Sequence, residues 1–280
     1  MKKYPLKLIP PAKDILWGGD LLKTKYHKKS DSPRIAETWE LALHKEGLSV
    51  IENGEYAGMT LAEHLGIAPD ADGVYDFPLL VKFIDAKKDL SVQVHPAKTE
   101  LWYIVEAQPG AKLVYGLRED FDEARFRAAV ADGTLDSLLH TVEVHPGEFY
   151  MLPSGQIHAI GAGILVAEIQ QNSNVTYRVW DYNRGREIHT EKAIETIRTL
   201  GVNGDFSGET ECDFFSVCRC AIHGRAEFYT GKKFVHLLCI DGEGDVDGVS
   251  IRRGESVFLE EGYGAFTVSG CCTLLMSRPQ

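Results

Sequence analysis

The sequence predicts a mainly β protein of the sandwich or barrel type. Short runs of β-branched, aromatic and aliphatic residues recur along the chain, separated by Gly, Pro, Asn and Asp. Regularly spaced short strands with turn residues between them are typical of sandwiches and barrels. Only two segments have the spacing of a helix. The predicted strands include LLVKFID (79–85), LWYIVEA (101–107), KLVYGL (112–117), EFYMLP (148–153), ILVAEIQ (164–170), FVHLLCI (234–240) and ESVFLEE (255–261).

Two helices are predicted between these strands. A short helical insertion is expected at about 120–140, where apolar residues of DFDEARFRAAVADG fall at helical spacing before a glycine. The second helix is EKAIETIRTL, and Thr190 is expected to cap its start. The Gly/Asn/Asp-rich stretch GVNGDFSGE (201–209) then predicts a boundary between domains at 1–200 and 210–280.

Length and composition indicate an ordinary soluble globular protein. The chain has 280 residues, of which 44% are hydrophobic and 25% charged. Its formal charge of −11 argues against a nucleic-acid partner, because phosphate neutralisation needs a basic surface. No apolar run approaches the roughly 20 residues of a membrane span, and the N-terminal segment lacks the apolar core of a signal peptide. We expect a cytoplasmic protein whose six cysteines are free thiols.

Four potential metal ligands stand in two separate segments. SVQVHPAKTE contains Gln93, His95 and Glu100, and a strand would place the first two on one face. His158 follows some sixty residues later, at the start of another predicted strand. Taken alone, His95 is better interpreted as a polar residue near a strand end. The spaced set instead predicts a mixed N/O metal site with room for solvent or substrate.

A glycine pattern occurs twice along the chain. From Gly147 to His158 the order is glycine, five residues, proline, one residue, glycine, two residues and histidine. The segment from Gly254 to Ala265 has the same spacing, with Glu260 in place of the proline and alanine in place of the histidine. The C-terminal copy therefore lacks the potential ligand.

These spacings resemble the two cupin motifs, with Gln93 where the first motif usually has histidine and Ala162 where the second usually has asparagine. Among cupins, QVHP followed by Lys-x-Glu resembles type I mannose-6-phosphate isomerase in its short bacterial form. The resemblance extends through most of the chain. It includes AETWELALH (36–44), LLVKFIDAKKDLSVQVHP (79–96) and EIQQNSNVTYRVWDYNR (168–184).

The resemblance implies a fold of two jelly-roll (cupin) barrels, a metal-binding one within 1–200 and a degenerate one at 210–280. It implies a metal-dependent aldose–ketose isomerase that interconverts mannose 6-phosphate and fructose 6-phosphate. One divalent metal is expected, with zinc favoured over the iron, manganese or nickel of other cupins. The implied residues are the metal ligands Gln93, His95, Glu100 and His158, the substrate-binding Ser91, Lys82 and Lys98, and the catalytic Arg178.

The residue types suit this chemistry. Only Glu100 among the four ligands carries a charge, so the centre keeps about one positive unit and can act as a Lewis acid. Arg178 suits the charge that develops on an enediolate. Glu168 is either the proton-transfer group or an orienting hydrogen-bond partner, and both roles remain open.

Two other functions compete with the isomerase. A non-catalytic cupin that binds a sugar phosphate for regulation would be favoured by loss of Arg178 or the ligands, all of which are present. Another metal cupin, such as an oxygenase, usually keeps both histidines of the first motif. The expected partner is a small sugar phosphate, with neither nucleic acid nor membrane, and the protein is expected to be a monomer or homodimer.

Overall fold

A computed structural model of the chain describes residues 3–280 and gives a mainly β fold. The strands are β1 (Leu6–Ile9), β2 (Ala12–Lys13), β3 (Glu37–Leu41), β4 (Leu43–His44), β5 (Gly47–Leu48), β6 (Val50–Ile51), β7 (Leu79–Ala86), β8 (Val92–Val94), β9 (Glu100–Ala107), β10 (Lys112–Leu117), β11 (Leu139–Glu143), β12 (Phe149–Leu152), β13 (His158–Ile160), β14 (Ile164–Gln171), β15 (Tyr177–Trp180), β16 (Phe215–Tyr229), β17 (Val235–Val246), β18 (Val249–Arg252), β19 (Ser256–Leu259) and β20 (Ala265–Pro279). The helices are α1 (Leu21–Thr24), α2 (Leu61–Leu65), α3 (Glu123–Asp132) and α4 (Thr190–Leu200), with 3-10 turns at Gly54–Tyr56 and Leu135–Leu138.

The predicted elements are present, with one error at a helix start. All seven predicted strands are found, and α3 with the following 3-10 turn confirms the helical insertion. The predicted cap at Thr190 is wrong. Thr190 is the first residue of α4, and His189 before it is the N-cap without a side-chain capping bond. The His189 ring is turned away because its Nδ1 accepts a hydrogen bond from the Arg178 backbone.

The chain divides into two compact units. The first contains the described residues up to Ile15, Asp20–Phe83 and Thr210–Gln280, and the second contains Leu16–Gly19 and Ile84–Glu209. The change of unit after Glu209 falls at the end of the predicted linker. The division into domains at 1–200 and 210–280 stays a prediction.

In the first unit, long antiparallel strands dominate. Their order is β16-β20-β17-β19-β1-β6, with β18 also paired to β17. Alternate residues of β17, namely Val235, Leu237 and Cys239, enter one apolar core with residues of the neighbouring strands. Alternation follows from the two-residue period of a strand, which sends successive side chains to opposite faces.

In the second unit, the sheet that matters for function has the order β11-β10-β13-β8-β15. Its outer face is apolar and packs on the helices: Val92 and Val94 of β8, Ala159 of β13 and Val179 of β15 share a core with α3 and α4. The residues that alternate with them must point to the other face. That face therefore receives the polar side chains of the same three strands.

The other sheet of the second unit contains β12, β9 and β14 in that order. Every strand order within residues 3–280 has two open ends. A mainly β fold is confirmed, while closure into two jelly-roll barrels stays a prediction. Within the same residues, no helix has both the length and the apolar character needed to cross a membrane.

The repeated glycine pattern folds alike in both copies. Gly147 and Gly155 have positive φ values of 100° and 93°, and they flank the four-residue strand β12. Two residues separate Gly155 from the start of β13. Gly254 and Gly262 have φ values of 88° and 66°, and they flank β19 in the same way before β20 begins. Glycine is favoured at all four positions because other residues rarely adopt positive φ. Ala265 opens β20 at the place where His158 opens β13.

Candidate metal centre

The four predicted ligands converge in the second unit. His158 Nε2 lies 3.1 Å from His95 Nε2 and 3.4 Å from the amide Nε2 of Gln93. The carboxylate of Glu100 lies 3.4 Å from each of the two imidazole Nε2 atoms. Register explains this convergence, because His158 pairs directly with Gln93 across β13 and β8. Both histidines and Glu100 are almost completely buried.

Backbone carbonyls fix the tautomer of both histidines. His95 Nδ1 is 2.8 Å from the carbonyl oxygen of Val175, and His158 Nδ1 is 2.9 Å from that of Gln156. A carbonyl oxygen can only accept, so each Nδ1 must carry the proton. Each Nε2 then presents a lone pair, which is the form of histidine that binds metals.

This arrangement fits a metal cation. Two imidazole lone pairs and one carboxylate point at the same small volume, and such acceptors repel one another unless a cation lies between them. Two nitrogen ligands of a tetrahedral zinc, each about 2.0–2.1 Å from the metal, lie about 3.3 Å apart. The observed separations among His95, His158 and Glu100 are 3.1–3.4 Å. Within residues 3–280, these three form the one cluster of at least three His, Cys, Asp or Glu with ligand spacing.

Burial keeps both histidines neutral. The pKa of His95 is lowered well below its ordinary value, first by burial and then by the nearby positive charge of Lys98. Burial likewise lowers the pKa of His158, against the opposing effect of Glu100. Neutral imidazole is required for coordination, so burial prepares these side chains as ligands.

Lys98 is part of the centre. Its Nζ lies 2.9 Å from the Glu100 carboxylate and donates to Gln170 Oε1 at 2.7 Å. The lysine is buried, so these polar contacts compensate for the loss of water around its charge. Lys98 therefore orients one of the proposed ligands as well as lying where the sequence predicts a substrate contact.

Glu168 lies on β14, which pairs with β9, and is also buried. Its Oε2 accepts a hydrogen bond from Trp102 Nε1 at 2.9 Å. The Trp102 ring in turn meets the His158 ring edge-on, with centroids 5.3 Å apart. Glu168 is thus one residue removed from a candidate ligand.

Arg178 lies at the edge of the same sheet face. It pairs with Gln93 across β15 and β8, so their side chains project from the same side. Arg178 Nε donates to Ser91 Oγ at 3.1 Å, and Nη1 donates to the carbonyl of Glu187 at 2.9 Å. The predicted catalytic arginine and the predicted substrate-binding serine are therefore in direct contact.

Lys82 belongs to the first unit. It is buried, with Nζ 3.9 Å from Glu37 and 5.3 Å from the centre of a Trp39 ring. Its substrate-binding role stays a prediction.

Three residues in or beside the centre, namely Trp102, Gln170 and His189, were not predicted from the sequence. Trp102 and Gln170 stand two residues after Glu100 and Glu168, so strand alternation places each pair on one face. That signal was available. The backbone contact of His189 with Arg178 had no local signal, since eleven residues and a turn separate them.

Fold and site together define a class: a mainly β protein with a buried histidine and carboxylate centre at strand ends, as in metal-binding cupins. Two family models match the chain. The model for phosphomannose isomerase type I, catalytic domain, matches residues 6–112. The model for mannose-6-phosphate isomerase, cupin domain, matches residues 209–279.

Relatives match over the full length. Mannose-6-phosphate isomerase ManA of Bacillus subtilis is 36% identical, covering 99% of this chain and all of that protein. The crystal structure of a mannose 6-phosphate isomerase from Bacillus subtilis has a TM-score of 0.88 at 32% identity, covering 98% and 99% of the two chains. A mannose 6-phosphate isomerase bound with zinc and yttrium shares the fold, with a TM-score of 0.74 at 15% identity and 99% coverage of both. The chain belongs to the type I mannose-6-phosphate isomerase family.

Proposed function

We propose that this chain interconverts mannose 6-phosphate and fructose 6-phosphate and needs a divalent metal to do so. Membership of the isomerase family supports the reaction. The observation that carries metal dependence is the convergence of two neutral imidazoles and a carboxylate within 3.4 Å of one another. A non-catalytic binder would have no need to keep Arg178 on the same sheet face as this centre.

We propose zinc as the metal, held by Gln93, His95, Glu100 and His158. The N/O donor set and the tetrahedral spacing support it. A relative with the same fold is described as bound with zinc and yttrium. When bound, the cation supplies Lewis-acid polarisation of the sugar oxygens.

Isomerisation moves a proton between C1 and C2 and creates negative charge on the enediolate oxygens. Arg178 keeps its charge at neutral pH and offers a rigid fork of donors. Its contacts with Ser91 and with the Glu187 carbonyl orient the guanidinium before substrate arrives, so little reorganisation is needed in the transition state. Arg178 is therefore proposed to stabilise the enediolate.

Glu168 has two roles open to it. As a proton-transfer group, it would carry the proton between the two carbons. As an orienting group, it would fix Trp102 against His158, a role supported by its 2.9 Å hydrogen bond. Glu168→Gln separates the two, because glutamine keeps an acceptor for Trp102 but cannot act as a carboxylate base.

Substrate phosphate is proposed to bind Ser91, Lys82 and Lys98. Ser91 contacts Arg178, which supports its place in the pocket. Lys98 already contacts Glu100 at 2.9 Å, so we propose that it serves ligand orientation and substrate together.

We also propose the two-barrel architecture, with a metal-binding cupin domain within 1–200 and a degenerate one at 210–280. The cupin-domain match at 209–279 supports the second. The alanine at 265 supports its inability to bind metal. A cytoplasmic monomer or homodimer acting on a small sugar phosphate completes the proposal.

The test is a coupled assay on purified protein whose zinc content has been measured. Mannose 6-phosphate should be turned over, unphosphorylated mannose should react far more slowly, and removal of zinc should abolish turnover until zinc is restored. His158→Ala is the matched control for metal loss. Tight binding of mannose 6-phosphate without turnover by the zinc-loaded protein would replace the isomerase with a non-catalytic sugar-phosphate binder.

A further inference from the structure

His189 is held rigidly beside the strand that carries Arg178. Its carbonyl accepts the Ala193 N–H at 2.9 Å, so the first turn of α4 fixes its backbone. Its ring lies next to that of Tyr177, with centroids 6.0 Å apart. No motif of the sequence marks it, and it has no place among the candidate metal ligands.

His189 exchanges two hydrogen bonds with the backbone of Arg178. The Arg178 N–H donates to His189 Nδ1 at 3.2 Å, and the His189 N–H donates to the Arg178 carbonyl at 2.7 Å. In the strand order, β15 is the last strand of its sheet. Residues of an antiparallel pair alternate between bonding to the partner strand and bonding away from it. The N–H and the carbonyl of Arg178 both point away from β8. They bond to His189, as they would bond to a further strand of the sheet.

The ladder around Arg178 is irregular. Arg178 pairs with Gln93 and Trp180 pairs with Val92, so two steps along β15 match one step along β8. Such a bulge bends the strand and changes the aim of the neighbouring side chain. A hydrogen bond that fixes the Arg178 backbone here also fixes the position from which its side chain extends.

We propose that His189 is a positioning residue for Arg178, acting through the unprotonated Nδ1 that accepts the Arg178 N–H. Arg178 is then held at two places: His189 bonds its backbone, while the Glu187 carbonyl and Ser91 Oγ bond its guanidinium. The inference rests on the proposed function, because Arg178 is assigned there to the transition state.

Three substitutions at one position separate this role from general packing. His189→Asn can place its amide oxygen where Nδ1 lies. His189→Gln places its oxygen near the position of Nε2 instead, and His189→Leu has no acceptor. We expect the leucine and glutamine variants to lose roughly 3- to 10-fold in kcat, the effect of about one hydrogen bond. The asparagine variant should stay within about 2-fold of the parent, and KM and zinc content should be unchanged in all three.

A second readout does not depend on activity. Amide hydrogen exchange at Arg178, followed by NMR, should be slow in the parent protein and in His189→Asn, and faster in His189→Leu and His189→Gln. Lys192→Met is the matched control, since Lys192 lies on α4 over the Tyr177 ring without bonding to Arg178. It should change neither kcat nor this exchange rate.

The outcomes divide clearly. The inference would be overturned if all three variants kept the kcat and the Arg178 exchange rate of the parent. It would also be overturned if His189→Asn lost as much kcat as the leucine and glutamine variants. Equal rescue by asparagine and glutamine would also reject it, because the position of the acceptor would then be irrelevant. If zinc-loaded parent protein turns over no mannose 6-phosphate, the proposed function fails, while the exchange experiment still decides whether His189 holds Arg178.

Discussion

His236 should make this protein less stable in mild acid. The side chain lies within the first unit with no exposed surface, and burial lowers its pKa from 6.5 to about 3, with a further lowering by Lys28. Between these two pKa values the unfolded chain binds a proton that the folded chain does not. Stability therefore rises with pH across this window and is lost as pH falls below about 6.5.

The size of the effect follows from the two pKa values. Histidine at pH 7 is mostly neutral in either state, so His236 then costs little. At pH 5, about 1.5 units below the unfolded-state pKa of 6.5, protonation of His236 stabilises the unfolded state by about 2 kcal/mol, at 1.36 kcal/mol per unit. Complete burial of the ring justifies using the full shift as an order of magnitude.

The assay compares urea unfolding of metal-free parent protein and His236→Leu at pH 7 and pH 5. The drop in unfolding free energy between the two pH values should be about 2 kcal/mol smaller in the variant. His145→Leu, which changes an exposed histidine, should keep the parent's drop. The reasoning is refuted if His236→Leu and the parent lose stability equally, since the buried ring would then titrate alike in both states.

Three further outcomes are expected at the candidate centre. His158→Ala should reduce bound metal from one ion per chain to none while leaving the circular dichroism spectrum unchanged; two ions in the parent would contradict a single centre. Arg178→Ala should lower kcat by about two orders of magnitude, as when a preorganised donor is removed, with metal content and Tm nearly constant; near-parent turnover would make it structural. Lys98→Met should lower both turnover and zinc affinity because Glu100 loses its 2.9 Å partner, and metal titration showing parent affinity would confine Lys98 to substrate.

Local patterns predicted most of the candidate centre. Strand alternation and motif spacing predicted Gln93, His95, Glu100 and His158 as ligands, and their side chains lie close together in the structure. Their role in binding a metal stays a prediction. Alternation works for Gln93, His95 and His158 because they stand on or next to short strands whose intervening residues, such as Val92 and Val94, need burial.

The rest depended on contacts between distant segments. The bond between Lys98 and Gln170 spans 72 residues, and no local periodicity encodes it. The same holds for the grouping of Thr210–Gln280 with the N-terminal strands. The error at Thr190 has a tertiary cause too, because a cap rule considers only the helix, whereas His189 is committed to β15.

The two glycine-flanked strands, β12 and β19, show that the same backbone turn can occur with or without a candidate metal ligand after it. The glycines on either side of both strands have positive φ, yet one strand leads into a histidine and the other into an alanine. The glycines therefore serve the path of the chain itself, whether or not a ligand follows. A substitution at Gly254 should thus damage folding as a substitution at Gly147 would, although the first has no ligand to position. In this chain the same turn occurs at two places, and a candidate metal ligand follows at one of them and not at the other.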